Sequence, residues 1–176
     1  AQEFDAVNRV VCPGFIDMHG HIDLDDYCGE LSLRQGITTT VAGNCGLSPL
    51  DINSFFKEQE QEGFIINQAE LFGHSISLRD AVGASDPLKP ATPEQLLRME
   101  YLVEKAFEDG ACGLSLGLAY APGTSNDEII NLSKIAARYG RIVAVDTRML
   151  TGIDMYSLVE VISLARQTGV RIQVSH

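Results

Sequence analysis

Residues 10–21 read Val10-Val-Cys-Pro-Gly-Phe-Ile-Asp-Met-His-Gly-His21, an apolar run that ends on two histidines separated by one residue. Side chains at positions i and i+2 of a strand point to the same face. His19 and His21 can therefore direct both imidazoles at one point, and neutral imidazoles are common ligands of zinc and similar divalent ions. The stretch predicts a first strand, over 10–18, with a candidate metal site at its end.

Further segments with the composition of buried strands alternate with segments of helical pattern. They span 37–43, 64–72, 112–117, 141–146 and 170–175. Continuous apolar runs such as Ile142-Val-Ala-Val145 are typical of parallel strands that are buried on both faces. The order is a βα unit repeated up to a sixth strand, which gives either an open sheet or a closed barrel.

Capping residues mark where the predicted helices begin and end. Apolar residues recur at helical spacing over 93–109 and 154–168. Thr92 before Pro93 has the pattern of an N-cap and a first helical residue. Ser125 followed by Glu128 has the form of a capping box. The glycines expected to end helices stand at positions 63, 110, 140 and 169.

Side chains that suit metal binding or catalysis stand where the predicted strands end, and all four histidines of the chain are among them. The candidates are His19, His21, Cys45, His74, Tyr120, Asp146, Arg148 and His176. A ring of functional residues at the carboxyl ends of parallel strands is typical of barrel enzymes, whereas an open sheet gathers its site at one switch point. We therefore predict an α/β fold with a barrel of the TIM type.

Each candidate also has a structural interpretation when it is considered alone. A single histidine such as His74 is more often a hydrogen-bonded structural group than a ligand, and a single cysteine such as Cys45 is more often a buried apolar residue. Asp146 could cap the segment that follows it, and Arg148 could be a solvated surface charge. Because side chains suited to metal binding or catalysis stand at so many strand ends, the set as a whole favours a functional site. The other cysteines, which we interpret as reduced, mostly buried structural residues, are Cys12, Cys28 and Cys112.

The overall composition excludes several classes of function. The chain has 176 residues, of which 45% are hydrophobic, as expected for one globular domain with a core. Its formal net charge of -11 disfavours binding to nucleic acid. It has no apolar run near the roughly 20 residues that a membrane-spanning helix needs, and its polar, acidic first residues do not resemble a signal peptide. We therefore expect a cytoplasmic protein that binds neither nucleic acid nor membrane.

Several motifs recur together along the chain. They are Pro13-Gly-Phe-Ile-Asp-Met-His-Gly-His21, Gly36-Ile-Thr-Thr-Thr40, Gly43-Asn-Cys-Gly46, Gly73-His-Ser75 with Leu78-Arg79, Ala91-Thr-Pro-Glu94, Gly113-Leu-Ser-Leu-Gly-Leu-Ala-Tyr-Ala-Pro-Gly123 and Gln173-Val-Ser-His176. The set resembles the amidohydrolase superfamily, and its Asn-Cys-Gly motif resembles the D-aminoacylase branch, the N-acyl-D-amino-acid deacylases. The resemblance implies a (β/α)8 barrel, of which about six units would be present over 10–176. Residues 1–9 would be the remnant of a small β-sandwich.

The resemblance also implies an activity, the metal-assisted hydrolysis of the amide bond of an N-acyl-D-amino acid. The implied ligands are Cys45 and His176 for a tightly bound zinc ion, and His19 and His21 for a second, weaker ion, with Cys45 between the two. Position 146 completes the ligand set. The implied catalytic residues are His74, Tyr120 and Arg148.

The chain departs from the family pattern at its fifth strand and at its end. The family motif His-Met-Arg is here Asp146-Thr-Arg148, so a harder donor replaces a histidine, and Mn²⁺ or Fe²⁺ become alternatives to Zn²⁺. The catalytic aspartate of the family would follow His176, and six strands do not close an eight-stranded barrel. We therefore expect a piece of a longer protein, inactive by itself. The alternatives are a cyclic amidase of the dihydroorotase or hydantoinase kind, and a non-catalytic barrel with a degenerate metal site.

Overall fold

A computed structural model describes residues 3–22, 26–148 and 155–175. In this part of the chain six parallel strands form one curled sheet, in which each strand pairs with its neighbour in sequence order. The strands are β1 Phe15–Asp17, β2 Ile37–Ala42, β3 Asn67–Gly73, β4 Gly113–Gly117, β5 Ile142–Asp146 and β6 Arg171–Ser175. The predicted barrel fold is confirmed as a partial barrel.

Helices connect the strands and cover the convex face of the sheet. They are α1 Asp26–Arg34, α2 Ile52–Glu62, α3 Arg79–Ala81, α4 Pro93–Glu108, α5 Asn126–Arg138 and α6 Met155–Thr168. A 3₁₀ turn, Asn44–Gly46, follows β2, and a π-helical turn, His74–Leu78, leads from β3 into α3. None of the helices in the described ranges is long and apolar enough to cross a bilayer.

The core lies between the sheet and these helices, because alternate strand side chains point outward. Phe72, Leu116 and Val145 belong to the same buried cluster as Met99 of α4 and Leu132 of α5. Residues of the opposite parity point to the concave face, where the interior of a barrel would be. Gly117 and Asp146 are in register at the carboxyl ends of β4 and β5, so that the sheet presents them side by side.

The first and third strands are shorter than predicted. The strand predicted over 10–18 is formed only by Phe15–Asp17, and Val10 and Val11 are exposed. Pro13 has no N–H to donate, and β1 pairs with β2 alone, so the stretch before Phe15 lacks ladder partners. The strand predicted over 64–72 begins at Asn67, because Gly63 ends α2 with a φ of 82° and the chain bends at residues 65–66 before it enters the sheet.

The predicted helix ends are confirmed, with one correction. The glycines at 63, 110, 140 and 169 all have positive φ. Thr92 forms a complete capping box with Gln95. The capping box predicted at Ser125 is wrong in one half: Ser125 accepts a hydrogen bond from the Glu128 N–H, but the Glu128 carboxylate is directed into a buried network.

Two further predictions concern the amino-terminal segment. The prediction that most of the cysteines are buried is wrong: Cys12 is exposed, because it lies in the stretch before β1 that has no sheet partners. Cys28 and Cys112 are half-buried. Residues 3–14 form no strand, and the assignment of 1–9 to a β-sandwich remnant stays a prediction.

Candidate metal and active site

The turn that carries Cys45 has an unusual backbone. Gly43, Cys45 and Gly46 have φ values of 76°, 57° and 79°, in the left-handed region that residues other than glycine rarely adopt. A Cβ at Gly43 would lie 2.0 Å from the Leu71 carbonyl oxygen, and one at Gly46 would lie 2.7 Å from the Ser75 nitrogen. The two glycines therefore let the turn pack directly on the end of β3 while Cys45 is held in a strained conformation.

Cys45 meets the two histidines that follow β1. Its Sγ lies 3.5 Å from the Nε2 of His19 and 3.6 Å from the Nε2 of His21. Zinc bonds to sulfur at about 2.3 Å and to nitrogen at about 2.0–2.1 Å, so a tetrahedral ion would separate the sulfur from each nitrogen by about 3.5 Å. These three side chains fit a metal ion with the spacing that they already have.

A buried amide joins the two parts of this group. Asn44 is 1% exposed, and its Nδ2 donates to the carbonyl oxygens of Gly20, at 3.2 Å, and Val41, at 2.8 Å. Gly20 stands between the two histidines, so Asn44 fixes their backbone relative to the cysteine turn. Ser115 secures the other side of the turn, because its Oγ accepts a hydrogen bond of 2.9 Å from the Gly46 N–H. Sequence reasoning missed both contacts, for which the only signal was the Asn-Cys-Gly motif.

Asp146 is the next side chain beside the sulfur. Burial raises the pKa of the Cys45 thiol to about 12, and the Asp146 carboxylate adds to this by accepting its hydrogen bond and by its negative charge. Without a metal ion the sulfur thus keeps its proton, and a bound ion would displace it. The carboxylate and the thiolate together would give a cation two negatively charged donors.

Tyr120 completes the part of the site that the structure describes. Gly117 separates it from Cys45: a Cβ there would lie 2.2 Å from the Cys45 carbonyl oxygen and 3.0 Å from the Tyr120 ring. The charge that Cys45 carries once it is ionised, followed by desolvation and the charge of Asp146, raises the pKa of Tyr120, whose side chain is half exposed. The hydroxyl therefore remains a hydrogen-bond donor at neutral pH.

His74 is not part of this group. It is fully buried, with Nε2 2.8 Å from Glu128 Oε1 and Nδ1 3.0 Å from Ser75 Oγ. Burial lowers the pKa of the imidazole, so we assign the neutral tautomer that donates from Nε2 to Glu128 and accepts from the Ser75 hydroxyl. Sequence reasoning placed His74 at the substrate pocket; that role stays a prediction.

Glu128 is shared between His74 and a buried arginine. Arg79 Nη1 donates to Glu128 Oε1 at 2.5 Å, and the two side chains are 2% and 1% exposed. The other carboxylate oxygen accepts the Ala91 N–H at 3.1 Å. Burial by itself would raise the pKa of Glu128, but the hydrogen bonds from His74 and Ala91 and the charge of Arg79 lower it to about 2. This network therefore has a structural role, because it connects α5 to α3 and to the segment before α4.

Arg148 also contacts protein groups outside the Cys45 group. Its Nε lies 2.8 Å and 3.0 Å from the two carboxylate oxygens of Glu160. Its Nη1 donates to the Pro122 carbonyl at 2.7 Å and its Nη2 to the Thr124 carbonyl at 2.8 Å. The direct catalytic role predicted for Arg148 stays a prediction. The predicted ligand His176 lies outside the described residues.

Comparison with known sequences gives consistent relatives, although no family model matches the chain. An N-acyl-D-glutamate deacylase of Alcaligenes xylosoxydans xylosoxydans is 34% identical over 99% of the chain, and a D-aminoacylase of the same organism is 32% identical over 98%. The chain spans 41% of the length of each of these two relatives.

Solved structures agree with this relationship. The N-acyl-D-glutamate deacylase of Bordetella bronchiseptica, in complex with zinc and a phosphonate inhibitor that mimics the tetrahedral intermediate, matches with a TM-score of 0.84 and 34% identity. A D-aminoacylase with a binuclear metal centre matches with a TM-score of 0.81 and 28% identity. Each match covers 93% of this chain and 40% of the solved chain.

Proposed function

The chain belongs to the D-aminoacylase branch of the amidohydrolase superfamily, and on this premise we propose that its protein hydrolyses the amide bond of an N-acyl-D-amino acid with the help of a bound divalent ion. The observation that carries the proposal is the spacing of Cys45 from His19 and His21, 3.5 Å and 3.6 Å, which suits shared coordination of one ion. A bound ion would polarise the scissile carbonyl and acidify a water molecule.

The residues of this chain divide the work of the site. We assign His19, His21, Cys45 and Asp146 to metal binding, and His176 as a further ligand. Cys45 lies between the histidine pair and Asp146, so its sulfur suits a position shared by a tightly bound ion and a weaker one. Zn²⁺ suits the sulfur and the imidazoles, and the carboxylate makes Mn²⁺ or Fe²⁺ acceptable as well.

We assign Tyr120 the role of stabilising the negative charge that develops on the carbonyl oxygen. Its hydroxyl is protonated at neutral pH, since the pKa of Tyr120 is raised, and a positioned neutral donor stabilises an oxyanion in the transition state. The substrate is a small N-acylated amino acid, as for the relatives. The cytoplasmic location expected from the sequence stays a prediction.

Removal of the central ligand tests the proposal in the full-length protein. We expect Cys45→Ala to weaken Co²⁺ binding by at least about 100-fold, since even outer-shell groups contribute 10–100-fold. The thiolate-to-Co²⁺ absorption band and the hydrolysis of N-acetyl-D-glutamate should be lost together. Cys112→Ala is the matched control, because Cys112 is a half-buried thiol at the opposite end of the sheet, just before β4.

Two results would contradict the proposal. One is a full-length protein that hydrolyses N-acyl-D-amino acids without bound metal, and the other is an equal effect of the two cysteine substitutions. Cyclic imides and N-acyl-L-amino acids belong in the same assay. A preference for cyclic imides would indicate the cyclic-amidase alternative. Metal binding without turnover of any of these amides would indicate a binding barrel.

A further inference from the structure

The Tyr120 loop, which we define as residues 118–124, is held to the ends of two strands. The Tyr120 N–H donates to the Gly117 carbonyl at 2.9 Å, and the Leu118 N–H donates to the Asp146 carbonyl at 3.0 Å. Farther along, the Thr124 N–H and hydroxyl both bond to the Ala121 carbonyl, at 3.0 Å and 2.8 Å. The loop is therefore a defined turn with a half-exposed tyrosine near its start.

Arg148 holds this loop from the side of β5. It stands two residues after Asp146, and its guanidinium reaches the Pro122 and Thr124 carbonyls at 2.7 Å and 2.8 Å. Glu160 of α6 fixes the plane of the guanidinium through Nε. One side chain thus connects three features: the strand end that carries Asp146, helix α6 and the Tyr120 loop.

The opposite side of the loop rests on the segment before α4. The Gly123 N–H donates to the Pro87 carbonyl at 2.8 Å, and a Cβ at Gly123 would lie 2.2 Å from the Leu88 carbonyl carbon. This side is fixed by backbone contact. The Arg148 side depends on one side chain that is 22% exposed.

We infer that Arg148 is a positioning residue, which sets the distance of Tyr120 from the Cys45 group by holding the Pro122 and Thr124 carbonyls, and does not contact the substrate. The inference rests on the proposed function, because it explains how Tyr120 would be kept in place for the reaction. The planar guanidinium donates to the two carbonyls and the carboxylate from three separate nitrogens. Lysine has one nitrogen on a flexible stem, and it cannot hold all three acceptors in one plane.

A double-mutant cycle in the full-length protein tests the inference. We expect Tyr120→Phe to lower kcat by about 100-fold, the effect of losing one oxyanion donor. We expect Arg148→Lys to approach the same loss, because a misplacement of about 1 Å can cost that much. The double variant should lose no more than Tyr120→Phe alone, since Arg148 would act only through Tyr120. Multiplied losses, or a rise in KM alone for Arg148→Lys, would overturn the inference.

A second readout does not depend on turnover. With ¹³C-labelled tyrosine, the NMR signal that Tyr120→Phe removes is assigned to Tyr120, and we expect Arg148→Lys to shift or broaden it. Arg138→Lys is the matched control, because Arg138 pairs with Glu104 between α5 and α4, away from the loop, and it should leave that signal unchanged. An unmoved Tyr120 signal in Arg148→Lys overturns the inference. A protein with no hydrolase activity but a moved signal contradicts only the proposed function.

Discussion

Two arginine–glutamate pairs support the loops above the carboxyl ends of the strands, and they differ mainly in burial. The side chains of Arg79 and Glu128 are 2% and 1% exposed, whereas those of Arg148 and Glu160 are 22% and 21% exposed. In both pairs the arginine also donates to two backbone carbonyls of a loop. The contacts made by the two arginines are alike, so the comparison shows mainly what burial adds.

Burial changes what each pair contributes. A buried charge has to be satisfied completely, and Glu128 accordingly accepts from Arg79, His74 and the Ala91 N–H. A half-buried pair exchanges with water and adds little to stability. Arg148 is therefore explained better by the geometry that it imposes on the Tyr120 loop than by the energy of its ion pair.

The largest expected effect is on the buried pair. We expect Glu128→Gln to lower the free energy of unfolding by about 3–5 kcal/mol, because the substitution keeps the shape of the side chain but leaves Arg79 buried without a countercharge. Urea denaturation of the full-length protein measures it. Glu104→Gln, in the exposed pair with Arg138, is the control and should change stability by less than about 1 kcal/mol. An equal, small effect of both substitutions would contradict the role given to burial.

The meeting of His19, His21 and Cys45 beyond the ends of β1 and β2 is the part of the candidate site whose geometry sequence alone could predict. The spacing of His19 and His21 is local, and the glycines around Cys45 specify a turn at a strand end, so the meeting of these side chains follows from parallel strands in sequence order. Asp146 and Tyr120 follow by the same reasoning, since they stand at or just beyond the ends of neighbouring strands.

The arginine pairs could not be predicted in the same way. Arg79 and Glu128 are 49 positions apart, and Ser125 and Glu128 fit a capping box by themselves. Nothing local indicates that the carboxylate leaves the helix end to meet a buried cation. Arg148 stands at a strand end as the candidate ligands do, but its long side chain reaches the Pro122 and Thr124 carbonyls. The place of a residue at a strand end thus predicts where its functional group lies when the side chain is short, and does so less well when the side chain is long.

The second expected effect is a loss of stability in acid, which comes from His74 and Glu128 in the buried network. The pKa of His74 is lowered by burial from 6.5, so the unfolded chain takes up this proton first and stability falls as the pH drops below about 6.5. The pKa of Glu128 is lowered from 4.5 to about 2, so its contribution is present above 4.5 and is lost as the pH falls towards 2.

Urea denaturation of the metal-free, full-length protein between pH 8 and pH 3 measures this dependence. We expect His74→Gln to flatten the fall below pH 6.5, because glutamine can still donate to Glu128 but takes up no proton. The difference between wild type and variant cancels the contribution of the other histidines. Parallel curves for the two proteins would mean that His74 does not resist protonation in the folded state.

The smallest expected effect is on the half-buried pair of Arg148 and Glu160. We expect Glu160→Gln to change the free energy of unfolding by less than about 1 kcal/mol. Both side chains are partly exposed, at 22% and 21%, so water can solvate the Arg148 guanidinium when its countercharge is lost. The kcat of this variant should fall, but by less than in Arg148→Lys, since the amide oxygen still accepts from Nε and the two carbonyl contacts of Arg148 remain. Stability is read from urea denaturation and kcat from hydrolysis of N-acetyl-D-glutamate. If Glu160→Gln instead destabilises the fold as much as Glu128→Gln, the two pairs contribute equally to stability. Burial then does not distinguish a structural arginine from a positioning one.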